Sequence, residues 1–389
     1  MEGAGDHSRA VPVLDDGAVR LRAHTAADLA GVLQQCQDPL SRRWLPLPDP
    51  YGPRQAEEFL ALARSSWRDP SPASPRYWAV QARDDHGRAR FAGSVNYSRD
   101  GQGGGELGYG LHPWARGRGV GLRAVRLALA HAFGHDRLQL VRWRSVRGNF
   151  ASRRIAWRAG FTVEGTVRGL EAHPVQGLRD GWVGSLAAGE PRAPAHRWLD
   201  APVLVGDRVR LRPWREDDGP RLPPHDEAAR AFMAPVLPPE DPGGYAGWLL
   251  RTRERMAGGE ALSWCLADPD DDRPLGWLAL FALDRPYFHG SGRLGYWLSA
   301  PARGRGLMAE ALALGTRHAF APAPRDPADT LAGLGLHRLG AAADARNAAS
   351  QAVLRRAGWQ LVGTEREATV YRPGGHRYDA VQFERLAGR

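Results

Sequence analysis

The sequence contains no lysine, so all 53 basic residues of this 389-residue chain are arginine. A Walker A loop needs a lysine to reach the nucleotide phosphates and is therefore excluded. Cys36 and Cys265 are the only cysteines. Two isolated cysteines form neither a disulfide framework nor a Cys-X-X-Cys zinc or redox site. We expect both to be buried as small hydrophobic residues.

Long apolar segments are missing as well. Residues 1–16 have no apolar core of the kind that a signal peptide carries. No run elsewhere is long and apolar enough to cross a bilayer. These absences predict a cytoplasmic protein without a membrane partner.

Acidic residues are outnumbered by basic ones. The net charge is +10 and the pI is near 10.3, a balance that is also typical of nucleic-acid-binding proteins. The arginines are spread along both halves of the chain rather than clustered, which favours a generally basic surface. Nucleic acid, the ribosome and other acidic partners stay open on this observation.

One glycine-rich stretch occurs twice. Arg-Gly-Arg-Gly separates a strand-like run from a helix-like run at residues 116–121 and again at residues 303–308, each time after a Gly-Tyr pair. The offset (303 − 116 = 187) indicates a duplicated domain, and the chain length fits two domains. We predict a disordered leader at 1–17, domains at 18–188 and 203–389, and a linker rich in proline, alanine and arginine at 189–202.

The repeated stretch has the chemistry of an anion site. A glycine-rich turn that opens a helix presents several backbone N–H groups without an intrahelical partner, and these can hold phosphate oxygens. Glycines let the backbone approach the ligand, and arginines add charge. The predicted binding residues in the first copy are Arg116, Gly117, Arg118, Gly119, Val120 and Gly121. Those in the second copy are Arg303, Gly304, Arg305, Gly306, Leu307 and Met308.

The order of predicted elements is the same in both halves. Each reads as a strand, two helices, a hairpin, a strand, the glycine loop, a helix, a strand, a helix and two final strands. Residues 39–53 form a proline-rich passage between the first two helices, and residues 322–333 are an insertion in the second half. This order predicts an α+β unit with a mostly antiparallel sheet in each half.

Asparagine is rare but placed in register. Of the three asparagines, two lie in the same frame, Asn149-x-x-Ser152 and Asn347-x-x-Ser350, each before a predicted helix that ends in glycine and an aromatic residue. Helix capping explains one such frame. For two frames in a chain that otherwise avoids asparagine we favour a ligand role, which one residue can combine with capping.

Together these elements resemble the GCN5-related N-acetyltransferases (GNAT), twice, over about residues 18–188 and 203–386. The resemblance is carried by the motif Arg/Gln-x-x-Gly-x-Gly/Ala, present as Arg116-x-x-Gly119-x-Gly121. The second copy departs from it at Met308, which would crowd the loop. The resemblance implies two α+β domains, each a mixed, mostly antiparallel twisted sheet with splayed central strands and flanking helices.

The resemblance also implies a site. The loop N–H groups would hold the diphosphate of acetyl-CoA, and the pantetheine arm would lie in a V between strands 90–97 and 106–111, or 275–281 and 293–298. Asn-x-x-Ser resembles the RimJ/RimL-type branch that acts on ribosomal-protein N-termini and related amines. The tyrosine that many members use as an acid is replaced here by Ala156 and Leu354.

From this resemblance Ser152 and Ser350 become candidates for hydrogen bonding to the leaving thiolate, and Asn149 and Asn347 for binding acetyl-CoA. Glu106 is the candidate general base. Weaker candidates for the base, each more typical of a surface acid, are Glu171, Glu365 and Glu367.

The predicted function is an acetyl-CoA-dependent N-acyltransferase that acetylates a primary amine, on a protein N-terminus or a small molecule, by direct attack in a ternary complex. In one alternative, one copy is a non-catalytic module that binds CoA or a partner. In another, the acyl transfer uses a carrier-linked or tRNA-linked substrate. Residues 39–68 and 220–255, around the first two helices, differ most between the copies, so we expect the two copies not to share an acceptor.

Two rival motifs are weaker. Gly119-x-Gly121-x-x-Ala124 fits a dinucleotide fingerprint, but no acid follows at the end of the next strand. His131 and His135 have zinc-ligand spacing without the catalytic glutamate, and we expect surface histidines there and no metal site.

Overall fold

The structure, a computed structural model, describes residues 10–69, 71, 73–233, 236–285, 289–370 and 375–388. The chain divides into two compact units, residues 1–195 (unit 1) and 196–389 (unit 2). The predicted domain boundaries at 188 and 203 lie on either side of this division.

Unit 1 follows the predicted order of elements. Its strands are β1 (Leu14–Asp15), β2 (Val19–Arg22), β3 (Arg76–Arg83), β4 (Ala89–Arg99), β5 (Gly104–Leu111), β6 (Leu140–Val146), β7 (Thr162–His173) and β8 (Gly177–Ala187). Its helices are α1 (Leu29–Gln37), α2 (Pro39–Trp44), α3 (Pro53–Ser65), α4 (Val120–Gly134) and α5 (Phe150–Ala159).

Unit 2 repeats this order, except that a short 3₁₀ turn at Glu216–Arg221 stands where unit 1 has α1. Its strands are β9 (Leu204–Val205), β10 (Arg210–Arg212), β11 (Ala261–Ala267), β12 (Pro274–Phe281), β13 (Ser291–Leu298), β14 (Arg338–Asp344), β15 (Gln360–Val370) and β16 (Arg377–Leu386). Its helices are α6 (Glu227–Met233), α7 (Pro242–Ala257), α8 (Leu307–Phe320) and α9 (Ala348–Arg356).

Each unit has one mixed sheet of eight strands within the described residues. The strand order is β1-β2-β3-β4-β5-β6-β8-β7 in unit 1, and β9-β10-β11-β12-β13-β14-β16-β15 in unit 2. The pairs β5–β6 and β13–β14 are parallel, and the other neighbours are antiparallel. The predicted α+β class and the mostly antiparallel sheets with flanking helices are confirmed.

The splay of the central strands lies elsewhere than predicted. β4 and β5 pair without interruption, residues 93–99 with 105–111, so no V opens between them. β5 pairs with β6 only from residue 104 to 107, and β13 pairs with β14 only from residue 291 to 293. The V therefore opens between the two parallel strands of each unit. The sequence predicted the strands but not their partners, because parallel partners lie far apart in the chain.

Three predicted irregular segments are partly ordered. Residues 1–9 of the predicted leader lie outside the described residues, but Leu14–Asp15 pairs with β2, and Trp78 Nε1 donates to Pro12 O at 2.9 Å. The proline-rich passage contains α2, whose first turn is capped by Asp38. In the predicted linker, Leu199 and Ala201 are buried in the core of unit 2. The helix α2 begins at Pro39, and proline suits the first position of a helix. The high proline content of this passage therefore hid a helix from the prediction.

Tryptophans fill much of both cores. Trp78 and Trp264 occupy corresponding places in β3 and β11, and the indole nitrogen of each donates to a backbone carbonyl. Both cysteines are buried and free, as predicted. Each sheet thus has one face covered by the helix after the glycine loop and the opposite face covered by the first helices of its unit.

Candidate active site

The two glycine loops have the same backbone conformation. Gly117 and Gly119 have φ values of 72° and 76°, and Gly304 and Gly306 have 74° and 75°. Side chains other than glycine rarely adopt this left-handed region. Gly119 and Gly306 are the N-caps of α4 and α8, so the free N–H groups of each first helical turn face the loop.

The space above the first loop is open. A Cβ atom added at Gly117 or Gly119 would meet no heavy atom within 4 Å, and the same holds for Gly304 in the second loop. A Cβ at Gly306 would lie 2.9 Å from Nη1 of Arg208. A guanidinium therefore already lies beside the second loop. Both loops combine free donors, helix N-termini and adjacent cations, which suits a diphosphate.

The first arginine of each loop binds the protein itself. Arg116 Nη1 lies 2.7 Å from Asp38, which caps α2, and its Nη2 donates to Ser41 Oγ at 2.8 Å. Arg303 Nη2 lies 2.9 Å from Asp226 Oδ1, at the start of α6. These two arginines hold the loop against the short helix on the other side of the sheet.

The side chains of the third loop positions differ in their partners. Arg118 pairs with Asp85 and lies over the ring of Trp114 at 5.8 Å. At the corresponding position of the second loop, the backbone carbonyl of Arg305 accepts from Arg208 Nη1 at 3.1 Å. Arg118 and Arg208 are thus the cations best placed to meet a bound anion at each loop.

Met308 does not crowd the second loop, contrary to the prediction. Its side chain is buried in the core of unit 2. In unit 1 a Cβ at Gly121 would point the same way, to 2.8 Å from Cδ1 of Ile155. Val353, which is smaller than Ile155, holds the corresponding place in unit 2 and leaves room for the methionine.

The two serines lie at the V, bonded to a tyrosine from the central strand. Tyr109 Oη and Ser152 Oγ are 3.0 Å apart, and Tyr296 Oη and Ser350 Oγ are 2.8 Å apart. In unit 1 the Nε1 of Trp143 also donates to Ser152 Oγ at 3.1 Å. Burial raises the pKa of Tyr109, and it raises the pKa of Tyr296 to about 12. Both tyrosines therefore stay protonated and able to donate.

In the sequence, Tyr109 and Tyr296 were recognised only as markers of the repeat and not as residues of the site. The Gly-Tyr pairs stand at the same 187-residue offset as the loops (296 − 109 = 187), which was the available sign of a shared role.

The asparagines act as N-caps through their side-chain oxygens. Asn149 Oδ1 accepts from the Ser152 N–H at 3.2 Å, and Asn347 Oδ1 from the Ser350 N–H at 3.0 Å.

Glu106 lies at the start of the V, beside Arg144. Its Oε1 is 3.0 Å from Arg144 Nε, and Glu171 Oε1 lies 3.6 Å from the same atom. Burial raises the pKa of Glu171, the nearby Arg144 opposes this, and the like charge of Glu106 adds to it. The Oε1 atom of Glu171 is buried without a hydrogen-bond partner. Two carboxylates thus share one arginine in unit 1.

In unit 2 an arginine takes the place of Glu106. Arg293 Nη2 donates to Gln382 Oε1 at 3.0 Å, and Gln382 Nε2 donates to Glu365 Oε2 at 2.9 Å. Glu367 lies farther out, 4.0 Å from Arg377 and exposed. The side chain of Gln382 therefore links Glu365 to Arg293 of β13.

The opposite face of the central strands differs most between the units. Ser94 of β4 pairs with Gly110 of β5, whereas the corresponding pair in unit 2 is Trp277 and Trp297. A Cβ at Gly110 would lie 2.9 Å from Gln35 Nε2 of α1. This face is small and polar in unit 1 and large and aromatic in unit 2.

His131 is not the surface residue that we expected. It is buried, and its Nδ1 lies 2.7 Å from Tyr97 Oη, which also donates to Asp136 at 2.8 Å. His135 is exposed and lies 3.0 Å from Asp136. Among the described residues His131, His135 and Asp136 are close enough to hold a metal. Because these groups already bond one another and Arg99 lies 3.7 Å from Asp136, a structural network is the better interpretation.

No helix of the described ranges is both long enough and apolar enough to span a membrane.

Comparison with known proteins gives matches for both halves. The family model for the acetyltransferase (GNAT) domain matches residues 18–162 and again residues 208–360. No protein with a curated description matches the sequence significantly.

Solved structures match about half of the chain each. A ribosomal-protein-S5-alanine acetyltransferase from Vibrio fischeri is 19% identical over 48% of this chain and 96% of its own, with a TM-score of 0.38. RimJ of Mycobacterium smegmatis, in complex with CoA-disulfide, is 19% identical over 46% and 82%, with a TM-score of 0.37. A GCN5-related N-acetyltransferase from Brucella melitensis is 23% identical over 46% and 80%, with a TM-score of 0.39.

Proposed function

Because the chain belongs to the GNAT acetyltransferase family, we propose that unit 1 and unit 2 each transfer an acetyl group from acetyl-CoA to a primary amine. The observation that carries this proposal is a geometry that occurs twice. In each unit a glycine loop at a helix N-terminus lies beside a V between two parallel strands, and a tyrosine–serine hydrogen bond lies at that V.

The loop and the strand edge divide the binding of acetyl-CoA between them. Backbone N–H groups of residues 117–121 and 304–308 hold the diphosphate, with Arg118 or Arg208 beside it. The pantetheine arm lies along residues 108–111 or 294–298, where β5 and β13 have left their parallel partners. Unpaired strand groups there can bind an extended amide-bearing arm as a further strand would.

The transfer needs few groups. The amine nitrogen attacks the thioester carbonyl carbon, a C–N bond forms, the C–S bond breaks, and the thiolate of CoA leaves. Ser152 with Tyr109, or Ser350 with Tyr296, donates hydrogen bonds to that sulfur. The raised pKa values keep both tyrosine hydroxyls protonated and make them weak acids, so each serine–tyrosine pair stabilises the thiolate by hydrogen bonding. The thiolate then takes its proton from water.

A base must take a proton from the ammonium form of the acceptor, because only the neutral amine attacks. In unit 1 we assign this to Glu171 with Glu106. The raised pKa of Glu171 brings its carboxylate closer to the range in which a general base works at neutral pH. In unit 2 we assign this role to Glu365, which acts through water, because the neutral amide of Gln382 that it accepts from cannot relay a proton.

The acceptor is a protein N-terminus or a small-molecule amine. The Asn-x-x-Ser frames support the first of these by their resemblance to the branch that acts on ribosomal-protein N-termini. A second candidate for unit 2 alone is a module that binds CoA without turnover, which is favoured by Arg293 in the place of Glu106.

Calorimetric titration of the full chain with acetyl-CoA tests the proposal, followed by thiol release with a panel of amines and peptides. We expect two binding sites, and release of CoA that falls at least about tenfold in Ser152→Ala or Ser350→Ala for the acceptor of that unit. A chain that binds no acetyl-CoA would contradict the acetyltransferase function. Two sites with turnover at only one would favour the non-catalytic alternative for the other.

A further inference from the structure

A groove runs along the second half of α8 in unit 2. Its volume is about 380 Å³, which lies within the range of ligand-binding clefts, about 300–1,000 Å³. Apolar side chains and two arginines line it, among them Leu312, Phe320, Trp359, Leu386, Arg317 and Arg385. Ala313, Arg317 and Gly388 also belong to the lining and are exposed, so the groove opens to solvent.

The groove lies away from the glycine loop. The helix α8 begins beside the loop at Leu307 and ends at Phe320. Its 14 residues extend over about 21 Å. The groove therefore does not belong to the proposed site of acetyl-CoA.

In unit 1 the chain itself covers the corresponding surface. Residues 190–193 (the covering segment) follow β8 and pack against the ends of two helices. Cζ of Arg192 lies 4.1 Å from the centre of the Phe133 ring in α4, and burial lowers the pKa of this arginine. A Cβ atom added at Gly160, which ends α5, would lie 2.4 Å from Pro191 O. The occupant of this surface in unit 1 is thus a short peptide segment.

Unit 2 has the same framework without a covering segment among its described residues. Corresponding residues of unit 1 and unit 2 are Phe133 and Phe320, Gly160 and Gly358, and Gly189 and Gly388. Arg385 Nη1 donates to Gly358 O at 2.5 Å, so this side chain lies beside the glycine where unit 1 has Pro191. The surface beyond Arg385 is the groove.

The charges of the two surfaces are arranged differently. Arg317 stands where unit 1 has Ala130, and Arg385 stands where unit 1 has Leu186. In unit 1 the cation is Arg192 of the covering segment, which suits the partial negative charge at the C-terminal ends of α4 and α5. In unit 2 two cations belong to the groove itself. Two full charges exceed the partial charges of two helix ends, so the groove attracts an anionic group.

The groove is also wider than the surface of unit 1. Ala313 stands where unit 1 has Arg126, whose Nη2 donates to Arg158 O at 3.2 Å and so bridges the two helices. The small alanine side chain leaves this side of the groove open to an incoming segment.

We propose that this groove binds a short peptide segment of a partner protein, and that the segment carries an acidic side chain. The carboxylate meets the positive charge of Arg317 and Arg385, and a neighbouring proline or aliphatic residue packs against Phe320 and Leu386. The segment takes the place of the covering segment of unit 1, with the cation on the surface instead of on the peptide. This interaction requires no acetyl transfer and goes beyond the proposed function.

The test is fluorescence anisotropy of labelled peptides with the full chain. Residues 189–195 supply the frame, with glutamine in place of Glu190, and the position of Arg192 is glutamate, alanine or arginine in three peptides. We expect the glutamate peptide to bind at least about tenfold more tightly than the arginine peptide, with the alanine peptide between them. Added salt should reduce this preference.

The matched variants change the charge or the width of the groove. Arg317→Gln and Arg385→Gln each remove one cation, and we expect each to weaken the glutamate peptide about three- to tenfold without weakening the arginine peptide. Ala313→Trp fills the open side and should weaken all three peptides. Arg251→Gln is the control, because Arg251 is an exposed arginine of α7, on the other face of the sheet.

Acetyl-CoA titration of the same variants checks that they remain folded, because none of these residues lies in the proposed acetyl-CoA site. Near-ultraviolet circular dichroism provides the same check without acetyl-CoA. Peptide binding that responds to the variants in a chain that binds no acetyl-CoA would sustain the groove and contradict only the proposed function.

Several results would overturn the proposal. One is equal binding of the three peptides or no binding of any, and another is a loss in Arg251→Gln as large as in Arg317→Gln. Binding of N-acetylglutamate as tight as that of the glutamate peptide would assign the groove to a small anion. Self-association of the chain that Ala313→Trp abolishes, without peptide binding, would assign it to a second copy.

Discussion

Unit 1 and unit 2 agree where acetyl-CoA would lie and disagree on the other face of the same strands. The loops share their glycine conformations, and the tyrosine–serine pairs share their geometry. On the opposite face of the same strands, unit 1 has Ser94 and Gly110 at the two positions where unit 2 has Trp277 and Trp297. On the proposed function, the two units share the part that binds acetyl-CoA and differ in the part that faces the acceptor.

In each unit an ion pair joins the helix after the glycine loop to the first hairpin. In unit 1, Arg123 on α4 pairs with Asp16 on the β1–β2 hairpin at 2.9 Å. In unit 2 the charges are exchanged, because Glu310 on α8 pairs with Arg208 on the hairpin at 3.2 Å. Both residues of the pair differ between the units, yet each loop keeps one additional cation beside a helix N-terminus.

The largest expected effect comes from a negative charge in one loop. Gly119→Asp places a carboxylate in the open space where the diphosphate would bind, and aspartate tolerates the left-handed conformation better than most residues. We expect acetyl-CoA affinity at unit 1 to fall about 100-fold or more through like-charge repulsion, and affinity at unit 2 to stay the same. Calorimetric stoichiometry should change from two sites to one.

The neutral variant Gly119→Asn has the same shape and is the control for that experiment. Its affinity should fall by no more than about tenfold, as backbone strain without charge would produce. Gly304→Asp, at an equally open position of the second loop, should give the corresponding result at unit 2. Equal losses in the Asp and Asn variants would show that the loop is not an anion site.

Acid should destabilise unit 1 through a histidine that unit 2 lacks. Burial lowers the pKa of His24 to about 4, from 6.5 in an exposed histidine. Between these two values the unfolded chain binds a proton that the folded unit does not, so stability falls as the pH drops through this window. We expect His24 to cost about 2 kcal/mol at about pH 5 relative to about pH 7.5, as measured by urea unfolding.

In the variant His24→Phe this part of the pH dependence should disappear. His131, whose pKa burial also lowers to about 4, remains in the variant and supplies a reference for the rest of the acid response. An unchanged pH dependence in His24→Phe would mean that the buried imidazole does not remain neutral on folding.

A smaller effect follows from exchanging one residue of the acceptor face. Gly110→Trp introduces the side chain that unit 2 has at this position, against Gln35 of α1. In a Gly304→Asp background, which should silence unit 2, we expect KM for the amine to rise about tenfold through lost space, while acetyl-CoA affinity at unit 1 stays the same. A parallel loss of acetyl-CoA affinity would show that the two faces are not independent.

The smallest expected effect is a difference in unfolding free energy between the variants of the two serines. Ser152→Ala leaves Trp143 Nε1 buried without its acceptor, which should cost about 1–3 kcal/mol of unfolding free energy. Ser350 has no such tryptophan beside it, because Ala341 stands at that place, and Ser350→Ala should cost about 1 kcal/mol or less. Urea unfolding of both variants measures the difference, and equal losses would contradict it.

What could be predicted from the sequence was local. The glycine loops, their helices and the Asn-x-x-Ser caps each lie within a few consecutive residues, so their pattern carries their geometry. The V was placed between the wrong strands, because residue 107 meets residue 143 only through a parallel pairing that no local pattern encodes. Met308 was misjudged for a similar reason, since the motif gives the residue type but not the direction of the side chain.

The aromatic face could have been found by a different reading of the sequence. Trp277 and Trp297 each lie in a strand that was predicted. A strand-by-strand comparison of the two copies shows Ser94 and Gly110 at the corresponding positions of unit 1. The helices that cover these tryptophans could not have been found, because that depends on how α6 and α7 pack against the sheet.

The central claim is that two like acetyl-CoA sites serve unlike acceptors. It is tested most directly by acetylation of one amine and peptide panel by Gly119→Asp and Gly304→Asp in parallel. The account predicts that each variant loses a different set of acceptors and keeps the other set at the unaltered rate. If both variants lost the same acceptors to the same extent, the two units would share one acceptor and the claim would be wrong.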